Sequence, residues 1–560
     1  MTHLKTVAKK HKTLIAALIF VGMAHTFLQS FVARYFQTII DNFTNNTLTA
    51  VSIAIYGTAL MIQYITGYVT EYPTRKLEHS IGLGLKIAAL RKVSAIDYLS
   101  YVKLGTGTLI QRIENGAAAG RNIFEFYLRL GWELLPAMIF SIIFVFTINA
   151  TIMVAILLGY VIVFIVSNLL LKVLYKVKER ILVNEEKLNH FLVRGLMEMV
   201  VFRIHRRFAQ EINKAENAST EIISNQVKMR MVHEAFFTIF VILVGFVKIG
   251  IIIYGWATNA LTIGEIVALI MLVDNAYQPI AIVNVMYVNY KLDKIAFVRY
   301  AEFLDAKEDA RLATGEIITI PNGNITFSNV IFHYGKRKIF DGFNLNIPPG
   351  KTIAFVGESG SGKSTAVKLM TGLLQPDSGK ITVDDFDLNQ INLNSYYQHI
   401  AYLPQEPPIF NGTLRENLVF DENIGEAALI AAIEKVGLKD LYSKLEKGLD
   451  TQLGERGVSL SGGERQQLAL ARLWFSNAQI IIFDEATSAI DNLTEEAVMN
   501  NVMALLKGKT VIAIAHRLDS IKAFDNIILF QDGHIAEQGQ FDELIERHSY
   551  FYELYNRSVM

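Results

Sequence analysis

The sequence predicts two kinds of structure in one chain: a membrane α-helical half of six transmembrane helices, then a cytoplasmic α/β domain of the P-loop type. Three observations carry that reading. Six apolar runs long enough to cross a bilayer all lie before residue 290. The connections between them carry Lys and Arg on alternate sides only. From residue 323 onward the composition is that of an ordinary α/β domain, and a glycine-rich turn follows an apolar, strand-like run.

A chain of 560 residues is too long for a single core. Hydrophobic residues make up 52% of it and the mean hydropathy is +0.31, with the excess concentrated in residues 1–290. The expected division is a transmembrane domain over 1–305, a polar linker over 306–322 and a nucleotide-binding domain over 323–560. Formal net charge is zero, so no global basic field points to nucleic acid. Cysteine is absent, which excludes disulfides, thiolate metal sites and cysteine nucleophiles.

The lysines Lys5, Lys9, Lys10 and Lys12 precede an apolar run in the manner of a signal peptide. That run continues past a normal leader core, so a retained membrane helix is expected. The six spans lie near 13–37, 49–72, 124–148, 150–172, 235–256 and 263–287. The short connections after the first, third and fifth spans carry no Lys or Arg. The N-terminus and the two long connections carry many, among them Arg75, Lys86, Arg112, Arg180, Arg203 and Arg207. Both termini and both long connections are therefore expected in the cytoplasm. The long connections are rich in helix formers and poor in Pro, so the membrane helices should extend outward and turn back near Gly105–Gly120 and near Glu198–Arg207.

Polar residues inside the spans include His25, Gln29, Gln63, Arg129, Glu133, Lys248, Asp274 and Asn275. Intramembrane charges pair with each other or face a cavity. Arg129 and Glu133 are one helical turn apart. At ~1.5 Å per residue, Lys248 lies about 12 Å and Asp274 about 18 Å below the outer face, within reach of a cross-helix pair. Structural ion pairs and a polar patch of a substrate cavity are both consistent with these positions.

In the second half, Gly357-Glu358-Ser359-Gly360-Ser361-Gly362-Lys363-Ser364-Thr365 fits G-x-x-x-x-G-K-[ST] between a strand and a helix. The glycines let backbone N–H groups converge on phosphate oxygens, and the helix N-terminus adds positive potential. Lys363 is expected on the β- and γ-phosphates and the Ser364 hydroxyl on Mg²⁺. Ile480 to Phe483 is an apolar run ending in Asp484 and Glu485. A buried strand delivering acids at its C-terminal end suits Asp484 as the Mg²⁺-linked carboxylate and Glu485 as the general base toward water. Ser461-Gly462-Gly463 opens a helix and forms a second anion nest. One chain already has a phosphate loop, so the second nest makes sense over the γ-phosphate of another copy. Tyr334 precedes the phosphate loop, where an exposed ring either stacks on a nucleobase or packs in its strand. His516 follows the strand Thr510–Ala515 and is placed to hydrogen-bond a γ-phosphate.

Taken together, these motifs resemble the ATP-binding cassette (ABC) family in order and spacing. GESGSGKST resembles its Walker A, IIIFDEATSAID its Walker B with the D-loop that includes Asp491, and LSGGERQ its signature. Gln405 resembles the Q-loop glutamine, Tyr334 the A-loop aromatic and His516 the switch histidine. Gly454-Glu455-Arg456-Gly457 resembles a motif that exporters carry next to their cytoplasmic hairpins. The departures are Ile490 where Leu is commoner, and Arg194 and Glu198 where the second hairpin often has glutamate and then glycine.

The resemblance covers the whole chain and implies an exporter-type half-transporter. It implies ATP and Mg²⁺ as cofactors, with Ser359, Gly360, Gly362 and Thr365 completing the nucleotide cradle and Gln405 beside Ser364 and Asp484 at the metal. It implies a dimer, homomeric or heteromeric, with Ser461 and Gly462 of one half facing Lys363 of the other. The substrate expected is a lipophilic or peptide-like small molecule exported across a bacterial plasma membrane. The alternative is import of a siderophore-like metal chelate. Six apolar spans exclude a soluble cassette protein of the DNA-repair or translation type, and an ATP-gated channel would need regulatory insertions that the chain lacks.

Overall fold

The computed structural model describes residues 2–320, 322–419, 424–454, 460–487, 489–515 and 517–559. The chain forms two compact units: Met1–Ser94 with Leu104–Ala306, and Ala95–Lys103 with Lys307–Met560.

The first unit is helical. Its long helices are Lys12–Thr44, Ala50–Ala95, Thr106–Arg129 leading through a π turn at Leu130–Leu134 into Leu135–Ile148, Ala150–Met197, Phe208–Thr258 and Ile263–Leu304. Among the described residues, five have the length and composition to cross a bilayer, and Ala150–Met197 begins with the shorter apolar stretch Ala150–Val166. The helices of 46, 48 and 51 residues are roughly 70 Å long at 1.5 Å per residue, more than twice the thickness of the hydrocarbon layer.

Polar caps set the short connections. The Asn149 side chain accepts from the Ile152 N–H at 3.1 Å, and Thr262 with Glu265 forms a capping box. Asp41 ties two helix ends together by accepting from Thr262 Oγ1 at 2.9 Å and from the Gly264 N–H at 3.0 Å. A Cβ on Gly264 would lie 2.5 Å from the Gln37 carbonyl, so only glycine permits this approach.

The first long connection turns earlier than the glycines of 105–120 suggest. A short helix, Tyr98–Leu104, fills the corner, and the return helix is already under way at Thr106, entered through Gly105 at φ 72. Gly116 and Gly120 are helical and serve packing: a Cβ there would lie 2.2 Å from Tyr300 and 2.5 Å from Leu85. The second connection turns where expected, through the short helix Met199–Ile204. There Arg194 lies over the Phe202 ring and 3.9 Å from Glu211.

The second unit contains β1 (Ile325–Tyr334), β2 (Arg337–Ile347), β3 (Thr352–Gly357), β4 (Ser378–Val383), β5 (Phe386–Asp387) and β6 (Ile400–Leu403). After them come β7 (Gly412–Thr413), β8 (Gln452–Leu453), β9 (Ile480–Asp484), β10 (Thr510–Ile514), β11 (Asn526–Gln531) and β12 (His534–Gly539). The central sheet has the order β12-β11-β3-β10-β9-β6, parallel except for β12, and the antiparallel sheet has the order β2-β1-β4-β5. The parallel strands are buried on both faces, which is why they read as unbroken apolar runs such as Ile480-Ile481-Ile482-Phe483. Phe327, Phe340, Phe343, Phe355 and Phe530 share one core cluster that draws on both sheets. Residues after 306 fold into this unit: Arg311, 6% exposed, pairs with Asp309 at 2.7 Å and donates to the Gly372 and Leu388 carbonyls.

Candidate active site

Strand register assembles the site. Phe355 pairs with Ile514, Ile514 with Asp484, and Phe483 with Leu403. The C-terminal ends of β3, β10, β9 and β6 therefore finish at one edge of the sheet, where ligands bind in open α/β sheets. The phosphate loop, Ala515, Asp484 with Glu485, and Gln405 emerge there from four distant parts of the sequence. His516, next after Ala515, lies outside the described residues, as do Glu455, Arg456 and Gly457.

The loop after β3 is shaped for an anion. Gly357, Gly360 and Gly362 have φ of 140, 84 and 113, values that favour glycine. A Cβ on Gly357 would come within 2.2 Å of the Phe530 carbonyl, and one on Gly362 within 2.9 Å of the Phe340 ring. The helix Lys363–Met370 starts at once, leaving its first N–H groups facing the loop. Lys363 is 5% exposed and its ammonium donates to the Gly357 and Glu358 carbonyls at 2.7 and 2.9 Å. Burial holds its pKa below the ordinary value, while the Glu485 and Asp484 carboxylates pull the other way. Ser364 and Ser359 are exposed and Thr365 is buried.

The acids opposite are held by side chains. Tyr402 Oη donates to Asp484 Oδ2 at 2.9 Å, and Gln405 Nε2 donates to Glu485 Oε2 at 2.8 Å. Burial, reinforced by the Asp484 charge, raises the Tyr402 phenol well above its ordinary range, so it remains a donor. Glu485 sits at φ 53, a left-handed conformation that costs ~1–3 kcal/mol in a residue with a side chain and concentrates at functional sites. The Ser364 hydroxyl, the Gln405 amide oxygen and the Asp484 carboxylate are all hard oxygen donors, the set that suits Mg²⁺ beside phosphates.

Ser461 caps the helix Gly462–Ala471 in a capping box with Glu464, its Oγ accepting from the Glu464 N–H at 3.3 Å. Among the described residues, nothing takes up the hydroxyl proton. A Cβ on Gly463 would lie 2.9 Å from the Ala489 carbonyl, so this glycine seats the D-loop. Asp491 caps the next helix by accepting from the Thr494 N–H at 3.0 Å. Tyr334 is 36% exposed and its ring meets Phe332 edge to face. Across the hairpin it pairs with Arg337, whose guanidinium lies 3.7 Å from the position a Gly360 Cβ would take, so the hairpin borders the phosphate loop.

Sequence reasoning missed Gln466. It is 3% exposed, donates to the Gln405 and Glu485 carbonyls at 3.2 and 3.4 Å, and accepts from the Ala489 N–H at 2.8 Å. One side chain thus joins three motifs, and its place within LSGGERQ was the available signal. Arg517, beside His516, pairs with Glu495 at 3.0 Å, and Glu495 accepts from Thr487 at 2.7 Å. In the first unit, Lys248 and Asp274 pair at 2.6 Å, while Arg129 lies 3.1 Å from Glu125 and 3.7 Å from Glu133.

Residues 340–488 match the model of the ABC transporter family. An ATP-dependent lipid A-core flippase of Alcanivorax borkumensis is 31% identical over 70% of this chain and 68% of its own length. An uncharacterized ABC transporter ATP-binding protein, YwjA, of Bacillus subtilis is 34% identical over 61% of this chain, and the match spans 59% of that relative. The chain thus spans about three-fifths of that relative's length. A structure of a bacterial Atm1-family ABC exporter with ATP bound superposes with a TM-score of 0.84 at 22% identity, covering 99% of both chains. The chain belongs to the ABC transporter family, in the exporter-type arrangement that carries membrane helices and nucleotide-binding domain on one polypeptide.

Proposed function

We propose that this chain is one half of an ATP-driven exporter that works as a dimer in the plasma membrane, with both termini in the cytoplasm. The observation that carries the reading is the single sheet edge where the phosphate loop, Asp484–Glu485 and Gln405 meet. Lys363 gives up its carbonyl partners to reach the β- and γ-phosphates, and the Tyr334 ring takes the adenine face. Ser364, Gln405 and Asp484 would hold Mg²⁺, which supplies charge neutralisation at the phosphates. Glu485, once released by Gln405, orients and deprotonates the attacking water, with His516 on the γ-phosphate. Ser461 and Gly462 of the second half close each site, and closure switches access to the membrane cavity. The cargo is a lipophilic or peptide-like small molecule; the flippase relative supports a substrate of that kind.

The test is Glu485→Gln with ATP and Mg²⁺, read by light scattering in detergent. The variant should bind ATP and accumulate as a stable dimer with closed nucleotide sites. A variant that binds ATP yet never dimerises would overturn the composite site.

A further inference from the structure

A cavity of about 290 Å³ lies inside the first unit, and its lining includes His25, Glu71, Arg129, Trp132, Glu133 and Asn275. Charges are placed there at the expense of solvation, which in a membrane protein marks a ligand or ion path. Two carboxylates, Glu71 and Glu133, line it beside one guanidinium, Arg129, which Glu125 and Glu133 share at 3.1 and 3.7 Å. Glu71 and Glu78 share Arg75, at 2.8 and 3.1 Å. Each guanidinium thus faces two carboxylates, an excess of acidic groups. Glu78 is 5% exposed, and its Oε1 has no partner among the described residues. His25 Nδ1 lies 2.9 Å from the Gln63 carbonyl, which can only accept, so Nδ1 carries a proton.

A second, independent feature also points to a ligand. Trp132 is 7% exposed, and its indole Nε1 finds no acceptor among the described residues. A buried donor without a partner is costly and calls for a bound group. Its ring is wedged against Gly22, where a Cβ would lie 2.2 Å away. Trp132 and Glu133 both ride on the π turn Leu130–Leu134, a distortion that recurs at functional sites. The turn has a local cause: Pro136 offers no N–H to the Trp132 carbonyl four residues before it.

We propose that this cavity binds a compact organic cation: an ammonium group held by Glu133 and Glu71, with a carbonyl or hydroxyl oxygen accepting from the Trp132 indole. The inference rests on the transport reading and narrows its substrate class. The same acidic excess disfavours an anionic metal chelate.

The test is equilibrium dialysis of the full chain in nanodiscs without nucleotide, with empty nanodiscs as the blank. Three probes share one skeleton: phenylalaninamide as the cation, phenylalanine as the zwitterion and N-acetylphenylalanine as the anion. The cation should bind saturably and about tenfold or more tighter than the anion. Glu133→Gln and the more exposed Glu71→Gln should each weaken it about tenfold, as expected for losing a charged hydrogen-bond partner. Arg129→Gln should tighten it, a sign that general loss of packing would not produce. Equal or preferred binding of anion or zwitterion, no saturable binding of any probe, or equal loss in Arg129→Gln and Glu133→Gln would overturn the proposal. ATP turnover, assayed separately, decides the transport reading: a chain that binds the cation but never hydrolyses ATP would refute only that reading.

Discussion

The two units place their functional polar groups in opposite ways. In the second, the groups sit at strand ends and in backbone N–H cradles, so the sheet itself sets their positions. In the first, they are half-buried side chains on helices, paired with one another as Arg129 is with Glu125 and Glu133. A backbone site needs fixed residues at fixed spacings and is written in short motifs. A side-chain site can be assembled from any helices that meet, and leaves only isolated charges in an apolar run. The phosphate loop is therefore legible at nine consecutive residues, whereas which charges of the first unit meet is legible only after folding.

Substitutions should divide along the same line. The largest effect belongs to Glu485→Gln, which should slow steady-state ATP hydrolysis by about 10²–10⁴-fold, the range of a lost general base, with ATP affinity retained. Next comes Lys363→Ala, which should weaken ATP binding about tenfold to a hundredfold in a fluorescent-nucleotide titration, because a buried charged donor to phosphate is removed. Tyr402→Phe should be milder: losing its hydrogen bond to Asp484 raises the Mg²⁺ concentration for half-maximal turnover about fivefold, ~1 kcal/mol, with the ATP concentration dependence unchanged. Lys248→Gln should do least to the nucleotide site, leaving ATP affinity as it was, because Lys248 and Asp274 both belong to the first unit. A strong loss of ATP affinity in Lys248→Gln would break the comparison.

Much of the second unit was readable because its strands are apolar on both faces and its turns demand glycine. The phosphate loop, Asp484 and Glu485 needed only spacing to be found. Tyr402 and Gln466 did not announce themselves, since their roles depend on which neighbouring strand or loop they face after β6, β9 and the signature helix come together. In the first unit, hydropathy located the apolar spans, charge predicts their orientation, and helical rise allows the Lys248–Asp274 pair that the structure shows. The first turn was placed too late because glycine serves two purposes. Gly105 ends a corner with a left-handed φ, whereas Gly116 and Gly120 admit Tyr300, Phe297 and Leu85 to a helix face. The π turn leaves no signal of its own in the sequence because its cause, Pro136, sits two residues beyond it, at a position where proline ordinarily just begins a helix.

A site closed by a second half should turn over ATP only in particles that hold two halves. The most direct test is the ATPase rate of the purified chain in nanodiscs, measured with particle mass and repeated for Glu485→Gln. Two halves per active particle are expected, with turnover that disappears in the variant. Hydrolysis by single chains, or turnover that survives Glu485→Gln, would contradict that expectation.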